Sequence, residues 1–532
     1  MELLGLRSKL LSHRGYVQTL ENGKLVVRSF PQLADDTGLA MDRLRHWGVM
    51  PGMRVGIYAQ NSYQWLVYDL ALIELNAIPV PFTHDFSGAL DESLFDKHKL
   101  SLVLTSKEMQ DHIAGCPSYL GLIDDAGWVA CARIFDTGQV DDSDTLSLVF
   151  SSGSAGGIKG IIISRKGVEA CIDPIMEAVG LKSSDKLLLF LPMSNFQQRL
   201  MCYASLWYDA SVAIIDHTQL FIGLQKCAPT ILVAPPVFFQ MIHGQFRGYP
   251  GWLRRGWRLI GALLGFFPFD APRQKLARLF FSKLLGQLGK KVRLLVTGMA
   301  PIKPEIAEFF YWLQIPLCET YGLVETGSLT FRDPRSRKFS SVGRPVKGVD
   351  LRFSEEGEII VRRSQPLSLG YFDCAEGESK KTFVRAGEVA TGDIGVLDDQ
   401  GYLYLKGRKN ELLVASNGYK VHPEALEKQV NGCAGVACSV FFQRRGDAHL
   451  SCIVVLERPH CPEYHKTVRL FVDRMEAPKK ISPYVEVIFA GEPFTVENGM
   501  LRPNMKLDRK RIVATYGGKS PSARPEKAVR TA

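Results

Sequence analysis

The stretch Phe150-Ser151-Ser152-Gly153-Ser154-Ala155-Gly156-Gly157-Ile158-Lys159-Gly160 combines three kinds of group that hold a polyphosphate. Glycines let backbone N–H groups approach a ligand closely, serine hydroxyls add donors, and Lys159 adds positive charge. The G-x-x-x-x-G-K-[ST] spacing of a Walker loop fails here, and no helical pattern follows directly. A Ser/Gly hairpin tip with no ligand has the same composition, so the stretch alone leaves both readings open. A second segment, Tyr249-Pro250-Gly251-Trp252-Leu253-Arg254-Arg255-Gly256-Trp257-Arg258, interleaves tryptophan with arginine and runs into apolar residues from Leu259 to Phe269. That pattern suits a membrane interface, and it equally suits a surface helix packed on its own domain.

The elements that must carry these groups alternate in type. Leu33–Leu44 is helix-like, Gly52–Tyr58 reads as a strand, Asn61–Leu75 returns to helical spacing, and Ala77–Pro81 is a short strand. Apolar β-rich runs recur at Leu146–Phe150, Ile161–Ile163, Lys186–Leu191, Thr230–Ala234 and Val292–Thr297. Such alternation predicts βαβ units and a largely parallel sheet covered by helices. After Gly343 short strands separated by Gly and Asp take over, at Gly357–Val361, Ile394–Leu397 and Gly401–Leu405, which predicts an antiparallel region. A further βαβ-like stretch begins near Glu411 and runs to Ile512. The polar joint Gly407-Arg408-Lys409-Asn410 marks the boundary. The expected fold is therefore α/β, with a large N-terminal domain over 1–407 and a small α+β C-terminal domain over 408–515. The tail over 516–532, rich in Gly, Ser, Pro and Lys, is expected to be disordered.

Composition narrows the setting. At 532 residues the chain exceeds one compact core, and 46% hydrophobic with 23% charged residues is ordinary for a folded protein. A net charge of +10 suits a polyanionic ligand or an anionic surface, and it is also common solubility charge. Eleven cysteines lie scattered with no C-x-x-C pair, as expected of reduced thiols in the cytoplasm rather than a disulfide framework or zinc site. Basic residues break every apolar run of MELLGLRSKLLSHRGY, so no signal peptide is expected, and no run approaches the ~20 apolar residues of a membrane span.

The Ser/Gly/Lys stretch resembles the phosphate-binding signature of the adenylate-forming superfamily of acyl-CoA synthetases, peptide-synthetase adenylation domains and luciferases. Other stretches follow in that family's order. Tyr321-Gly322-Leu323-Val324-Glu325 is similar to its Y-G-x-T-E, and Thr391-Gly392-Asp393 to its T-G-D. Gly407–Asn410 with Asn417-Gly418-Tyr419-Lys420 resembles its hinge and glycine loop, and Glu497–Leu507 its catalytic-lysine segment. Phe190-Leu191-Pro192-Met193-Ser194-Asn195-Phe196-Gln197-Gln198-Arg199 and the proline-bracketed strand Cys227–Pro235 resemble the long-chain fatty acyl branch, though either alone reads as a buried strand with its turn.

The resemblance implies ATP-dependent activation of a carboxylic acid, a medium- or long-chain fatty acid, to acyl-AMP, then transfer to CoA. It implies that Ser151, Ser152, Gly153, Ser154, Gly156 and Lys159 wrap the β- and γ-phosphates, and that Glu325 holds Mg²⁺, a hard cation suited to oxygen ligands. Tyr321 with Thr320, Gly322 and Val324, and the turn Gly298-Met299-Ala300-Pro301, would border the adenine. Asp393 would accept from the ribose hydroxyls, and Arg408 would reach the ribose or phosphate. Lys506 would bridge the carboxylate and the α-phosphate. Asn410 would be the hinge position of a mobile C-terminal domain, and Gly418 with Tyr419 would lie on the thiol path, although Asn417-Gly418 also reads as a plain type I′ or II turn. Met193, Asn195, Phe196 and Thr320 are the expected acyl pocket.

Four positions depart from the family pattern: Ile158 for proline, Val324 for threonine, Asn195 for histidine and Thr320 for glycine. The last two bear on chain length and acyl class, and a polar Asn195 would favour an oxygenated acid. The segment between Phe372 and Thr391 is too short for the insertion typical of carrier-loading relatives, so CoA is expected over a carrier-protein pantetheine. The remaining alternative is a degenerate homologue that binds acyl or nucleotide ligands without catalysis. No nucleic-acid partner is expected, and a peripheral membrane contact stays open.

Overall fold

The computed structural model describes residues 2–82, 92–107, 109, 119–123, 127–132, 144–152, 158–265, 270–298, 300, 302–409, 413–414, 420–443, 450–479, 482, 485–502 and 507–518. Its contacts divide the chain into two compact units. The first takes Met1–Glu355, Ile359–Thr391 and Leu397–Tyr404, and the second takes Glu356–Glu358, Gly392–Val396 and Leu405–Ala532.

A nine-stranded sheet organises the first unit. Tyr16–Glu21, Ser211–Ile214, Lys186–Leu189, Ile231–Val233, Leu294–Thr297 and Leu317–Leu323 lie side by side and parallel. The four inner strands, Ser211–Ile214, Lys186–Leu189, Ile231–Val233 and Leu294–Thr297, are almost wholly apolar and buried, as expected of a parallel sheet covered on both faces. Hairpin strands close the edges: Lys24–Ser29 at one end, Gly327–Phe331 and Arg344–Pro345 at the other. A second sheet pairs Ile78–Pro81, Arg54–Tyr58 and Leu100–Ser106 in parallel and adds two antiparallel strands. The helix Tyr63–Glu74 starts where Ser62 accepts the Trp65 N–H at 3.1 Å. It is buried almost all round, as a helix between packed layers must be.

The strands Thr145–Ser152 and Ile158–Ser164, which flank residues 153–157 of the Ser/Gly/Lys stretch, pair antiparallel. Phe150 pairs with Gly160, Ser151 with Lys159 and Ser152 with Ile158, and Ser368–Phe372 adds a third strand. Beyond it, Asp350–Phe353 pairs antiparallel with Glu358–Arg362, and Phe383–Arg385 with Glu388–Leu397.

One polar cluster lies in the apolar interior of the first unit. Arg199 and Asp69 are fully buried and joined at 2.6 Å. Tyr203 donates its hydroxyl to Asp69 at 2.5 Å, and Arg199 also donates to Ser147 Oγ at 2.9 Å and Tyr203 at 3.0 Å. Burial pushes the Asp69 carboxyl above its ordinary range, against the pull of Arg199 and Tyr203. The arginine that ends the Phe190–Arg199 motif is thus a pin joining the helix Phe196–Trp207 to the helix Tyr63–Glu74 and the strand Thr145–Ser152.

The second unit is α+β. Val436–Gln443 runs antiparallel to Leu450–Leu456, which runs parallel to Val485–Phe489. The helices Pro423–Asn431 and Pro462–Arg474 contribute Leu426, Val430, Val468 and Val472 to its core. Glu427, 5% exposed, accepts from Arg509 at 2.5 Å and from the Phe441 N–H at 2.8 Å, which ties down the helix Arg509–Tyr516. Residues 519–532 of the expected tail lie outside the described residues. Among the described residues no helix is long and apolar enough to cross a membrane.

Candidate active site

The Tyr321–Glu325 motif occupies the end of the central strand Leu317–Leu323 and the turn after it. That turn is tight. A Cβ on Gly322 would lie 2.0 Å from the Gly327 carbonyl oxygen, so no other residue fits without moving the backbone. Thr326 Oγ1 accepts the Leu323 N–H at 3.2 Å, and Thr320 Oγ1 donates to the Thr330 carbonyl at 2.8 Å. Tyr321 is buried at 8% exposure. Val324 packs against the main core, so the side chain that replaces threonine exchanges a hydroxyl for apolar contact.

Glu325 is half-buried, and its Oε1 accepts from the Tyr371 hydroxyl at 3.0 Å. Ser368 Oγ donates to the Glu325 carbonyl at 2.7 Å. Ser368 and Tyr371 lie on the strand paired with Ile158–Ser164, so the carboxylate is fixed relative to that strand. Burial and the Glu325 charge raise the Tyr371 hydroxyl well above its ordinary pKa, so it stays a donor at neutral pH. The other Glu325 oxygen accepts nothing from the described residues. Those residues hold no cluster of three or more His, Cys, Asp or Glu that could enclose a metal. A single carboxylate fits Mg²⁺ nonetheless, because that ion binds through one or two carboxylates plus substrate phosphates rather than in a protein cage.

Beside the motif strand a cavity encloses ≈ 770 Å³, its open mouth included. Ile175, Val179, Leu200, Met201, Val233, Val296 and Phe331 give it aliphatic and aromatic walls, while Asn195, Gln198, Gly298, Thr320, Gly322 and Ser328 also border it. A Cβ on Gly298 would stand 3.0 Å from both Thr320 Cγ2 and the Thr320 carbonyl oxygen. Glycine there keeps that wall open.

Four expected pocket residues separate into two pairs. Asn195 and Thr320 border the cavity. Met193 and Phe196 do not; they are 1% and 2% exposed and belong to the main core. Asn195 is also the N-cap of the helix Phe196–Trp207, where its Oδ1 accepts the Gln197 N–H at 3.0 Å. Its amide oxygen therefore has a partner without any substrate. Gln198, quoted in the motif but given no role from sequence, is 2% exposed, and its Oε1 has no partner among the described residues. One helical turn past Asn195 it reaches the same cavity, a placement the i,i+3 spacing could have signalled.

In the second unit Asp393, 7% exposed, pairs with Arg408 Nε at 2.7 Å. Lys409 bridges Glu356 and Glu358 at 2.9 Å each, and those hydrogen bonds raise its ammonium above the ordinary range. Glu358 Oε1 also accepts the Gly392 N–H at 3.1 Å. Gly407 adopts φ +142°, and a Cβ there would lie 2.7 Å from His422 Cβ, so the joint requires glycine. The His422 ring lies 3.0 Å from the Arg408 carbonyl.

Gly153, Ser154, Gly156, Met299, Pro301, Asn410, Gly418, Tyr419 and Lys506 lie outside the described residues; Ala300 is described and exposed. Ahead of Lys506, Asn498 Oδ1 accepts the N–H groups of Thr495 at 3.0 Å and Met500 at 3.2 Å. Leu501 and Leu507 on either side of 503–506 form an antiparallel bridge.

The AMP-binding enzyme family matches residues 23–372. The chain is 27% identical to the long-chain-fatty-acid–CoA ligase FadD15 of Mycobacterium bovis over 443 residues, 72% of this chain and 70% of that one. It is 24% identical to fatty acyl-CoA synthetase A of Dictyostelium discoideum, over 91% of this chain and 83% of that one. Among solved structures, ATP-bound MatB from Rhodopseudomonas palustris aligns with a TM-score of 0.73 at 20% identity, covering 97% of this chain and 99% of that one.

Proposed function

Because the chain belongs to the AMP-binding enzyme family, we propose that it joins a medium- or long-chain fatty acid to CoA through an acyl-AMP intermediate. The apolar cavity beside the Tyr321–Glu325 motif carries this reading: its aliphatic and aromatic walls match an alkyl chain, and a few polar groups border it. The names of the fatty-acid–CoA ligases among its relatives support it.

In the first half-reaction a carboxylate oxygen of the acid attacks the α-phosphorus of ATP, and pyrophosphate leaves. Two anions must meet, so fixed positive charge and N–H donors do most of the work. The hairpin residues Ser151–Lys159 hold the β- and γ-phosphates, and Lys506 places its ammonium between the carboxylate and the α-phosphate. Tyr371 keeps Glu325 aimed, and the other Glu325 oxygen would hold Mg²⁺, which would supply positive charge against the phosphates. Asp393 accepts from the ribose hydroxyls while Arg408 turns toward phosphate. In the second half-reaction the CoA thiolate attacks the acyl carbon and AMP leaves, with Gly418 giving the pantetheine arm room beside the backbone. We assign the small unit as the mobile domain that exchanges Lys506 for this loop. The helix Glu378–Thr382 and strand Phe383–Arg385 occupy the span between Phe372 and Thr391, which favours CoA over a carrier protein.

Carboxylate-dependent ATP–pyrophosphate exchange over acids of graded length tests the proposal. Exchange rising with chain length is expected, and Lys506→Ala should lower it roughly 10²-fold, the scale of losing one preorganised charge. A folded protein that exchanges with no acid, or only with aryl or amino acids, refutes the fatty-acid reading.

A further inference from the structure

The helix Gly251–Leu264 of the first unit has two unlike faces. One is packed. The Trp257 ring stacks on Phe246 at 5.7 Å and meets Tyr249 edge-on at 5.1 Å. Gly261 passes so close to the chain that a Cβ would lie 2.5 Å from the Trp312 carbonyl, and Gln314 donates to the Gly261 carbonyl at 2.9 Å. This side fixes the helix rigidly.

The opposite face is apolar as well. Trp252, Leu259 and Leu263, spaced seven and four residues apart on one stripe, are 73%, 67% and 66% exposed. From the adjoining helix Asp270–Phe280, Leu279 and Phe280 are 72% and 50% exposed. Large apolar side chains this open, on two neighbouring helices, mark a surface that meets something other than water.

Charge identifies the partner. From Arg247 to Lys291 the chain holds ten Lys and Arg and a single acidic residue, Asp270, so this segment supplies +9 of the net +10. Arg255, Arg258 and Lys275 are exposed beside the apolar stripe. Apolar anchors flanked by cations match the two layers of an anionic bilayer surface, acyl boundary and headgroup phosphate. Nucleic acid would use the cations but leave Trp252, Leu259, Leu263, Leu279 and Phe280 without a role.

We propose that the outer face of Gly251–Leu264, with Leu279 and Phe280, docks this protein onto anionic phospholipid membrane. The helix lies flat, its stripe in the acyl boundary and its arginines on headgroup phosphates. This stands independently of the catalytic reading.

Flotation of the full-length chain with vesicles tests it. Phosphatidylglycerol-containing vesicles should carry the wild type at low salt, phosphatidylcholine vesicles much less, and added salt should release it as the headgroup charge is screened. Arg255→Glu with Arg258→Glu should lower the bound-to-free ratio at least about 25-fold, since each cation near such a surface is worth about fivefold. Trp252→Ser with Leu259→Ser should lower it about tenfold or more through lost apolar insertion while sparing the salt dependence. All four side chains are solvent-facing, so both variants should melt as the wild type does. The proposal is overturned if the wild type stays with free protein, if both variants float like the wild type, or if RNA competes the chain off vesicles and only the arginine variant loses binding.

Discussion

The cavity beside Leu317–Leu323 and the Asp393–Arg408 cluster solve different problems. Around the cavity, backbone geometry sets the shape: Gly322 and Gly298 sit where a Cβ would crowd its neighbours, Thr320 Oγ1 donates to the Thr330 carbonyl, and Asn195 Oδ1 accepts the Gln197 N–H. That wall is complete before a ligand arrives. At the cluster, charges satisfy one another: Arg408 with Asp393, Lys409 with two glutamates. A nucleotide that uses Asp393 and Arg408 must exchange their mutual contact for its own. The form of the cavity is thus set by steric exclusion, and that of the cluster by mutual pairing of charges.

The largest test breaks the rigid side. Gly322→Val should cost about 3 kcal/mol or more, because a side chain cannot coexist with the Gly327 carbonyl; urea denaturation measures it, and near-normal stability would mean the turn adapts. On the exchanging side, Arg408→Gln should raise the KM for ATP roughly tenfold, as when one charge-assisted contact is lost. Its stability should change by less than about 1 kcal/mol, since the Arg408 side chain is 37% exposed. A loss of stability larger than the loss of ATP affinity would make the pair structural. Asn195→Ala removes a helix cap and should cost about 1 kcal/mol in thermal stability. Because its amide oxygen is already engaged, relative turnover of a plain and a hydroxylated fatty acid should stay unchanged, and a selective loss of the hydroxylated acid would reassign it to the substrate. The finest test is Thr320→Ser, which keeps the hydroxyl bonded to Thr330 and removes one methyl. Preference in kcat/KM should move toward an acid one methylene longer by up to about fourfold, the worth of ~0.8 kcal/mol.

Legibility in the sequence divided along similar lines. The parallel strands at Lys186, Ile231 and Leu294 were readable because burial on both faces leaves unbroken apolar runs, and the helix from Tyr63 because its spacing and Ser62 cap are local. The hairpin at Phe150–Gly160 was readable from its two flanking apolar strands. The facing of individual side chains was not. The motif containing Met193, Asn195, Phe196 and Gln198 pointed to the cavity, yet which of the four reach it depends on where the helix starts and what lies across from it: Phe196 begins the helix facing the core, while Gln198 reaches the cavity. Tyr371, which holds Glu325, lies 46 residues away and carries no local signal.

The Arg199 pin has a consequence for synthesis. Its partners Asp69 and Ser147 precede it by 130 and 52 residues. Until Arg199 and Tyr203 leave the ribosome, the nascent N-terminal half has a fully buried position, Asp69, with no counter-charge, and a lone carboxylate there costs several kcal/mol. Native packing of the helix Tyr63–Glu74 against the strand Thr145–Ser152 is therefore disfavoured until Arg199 is present. A fragment ending before Arg199 is therefore expected to pack this region less stably than the full chain does, which limited proteolysis of the two would read out.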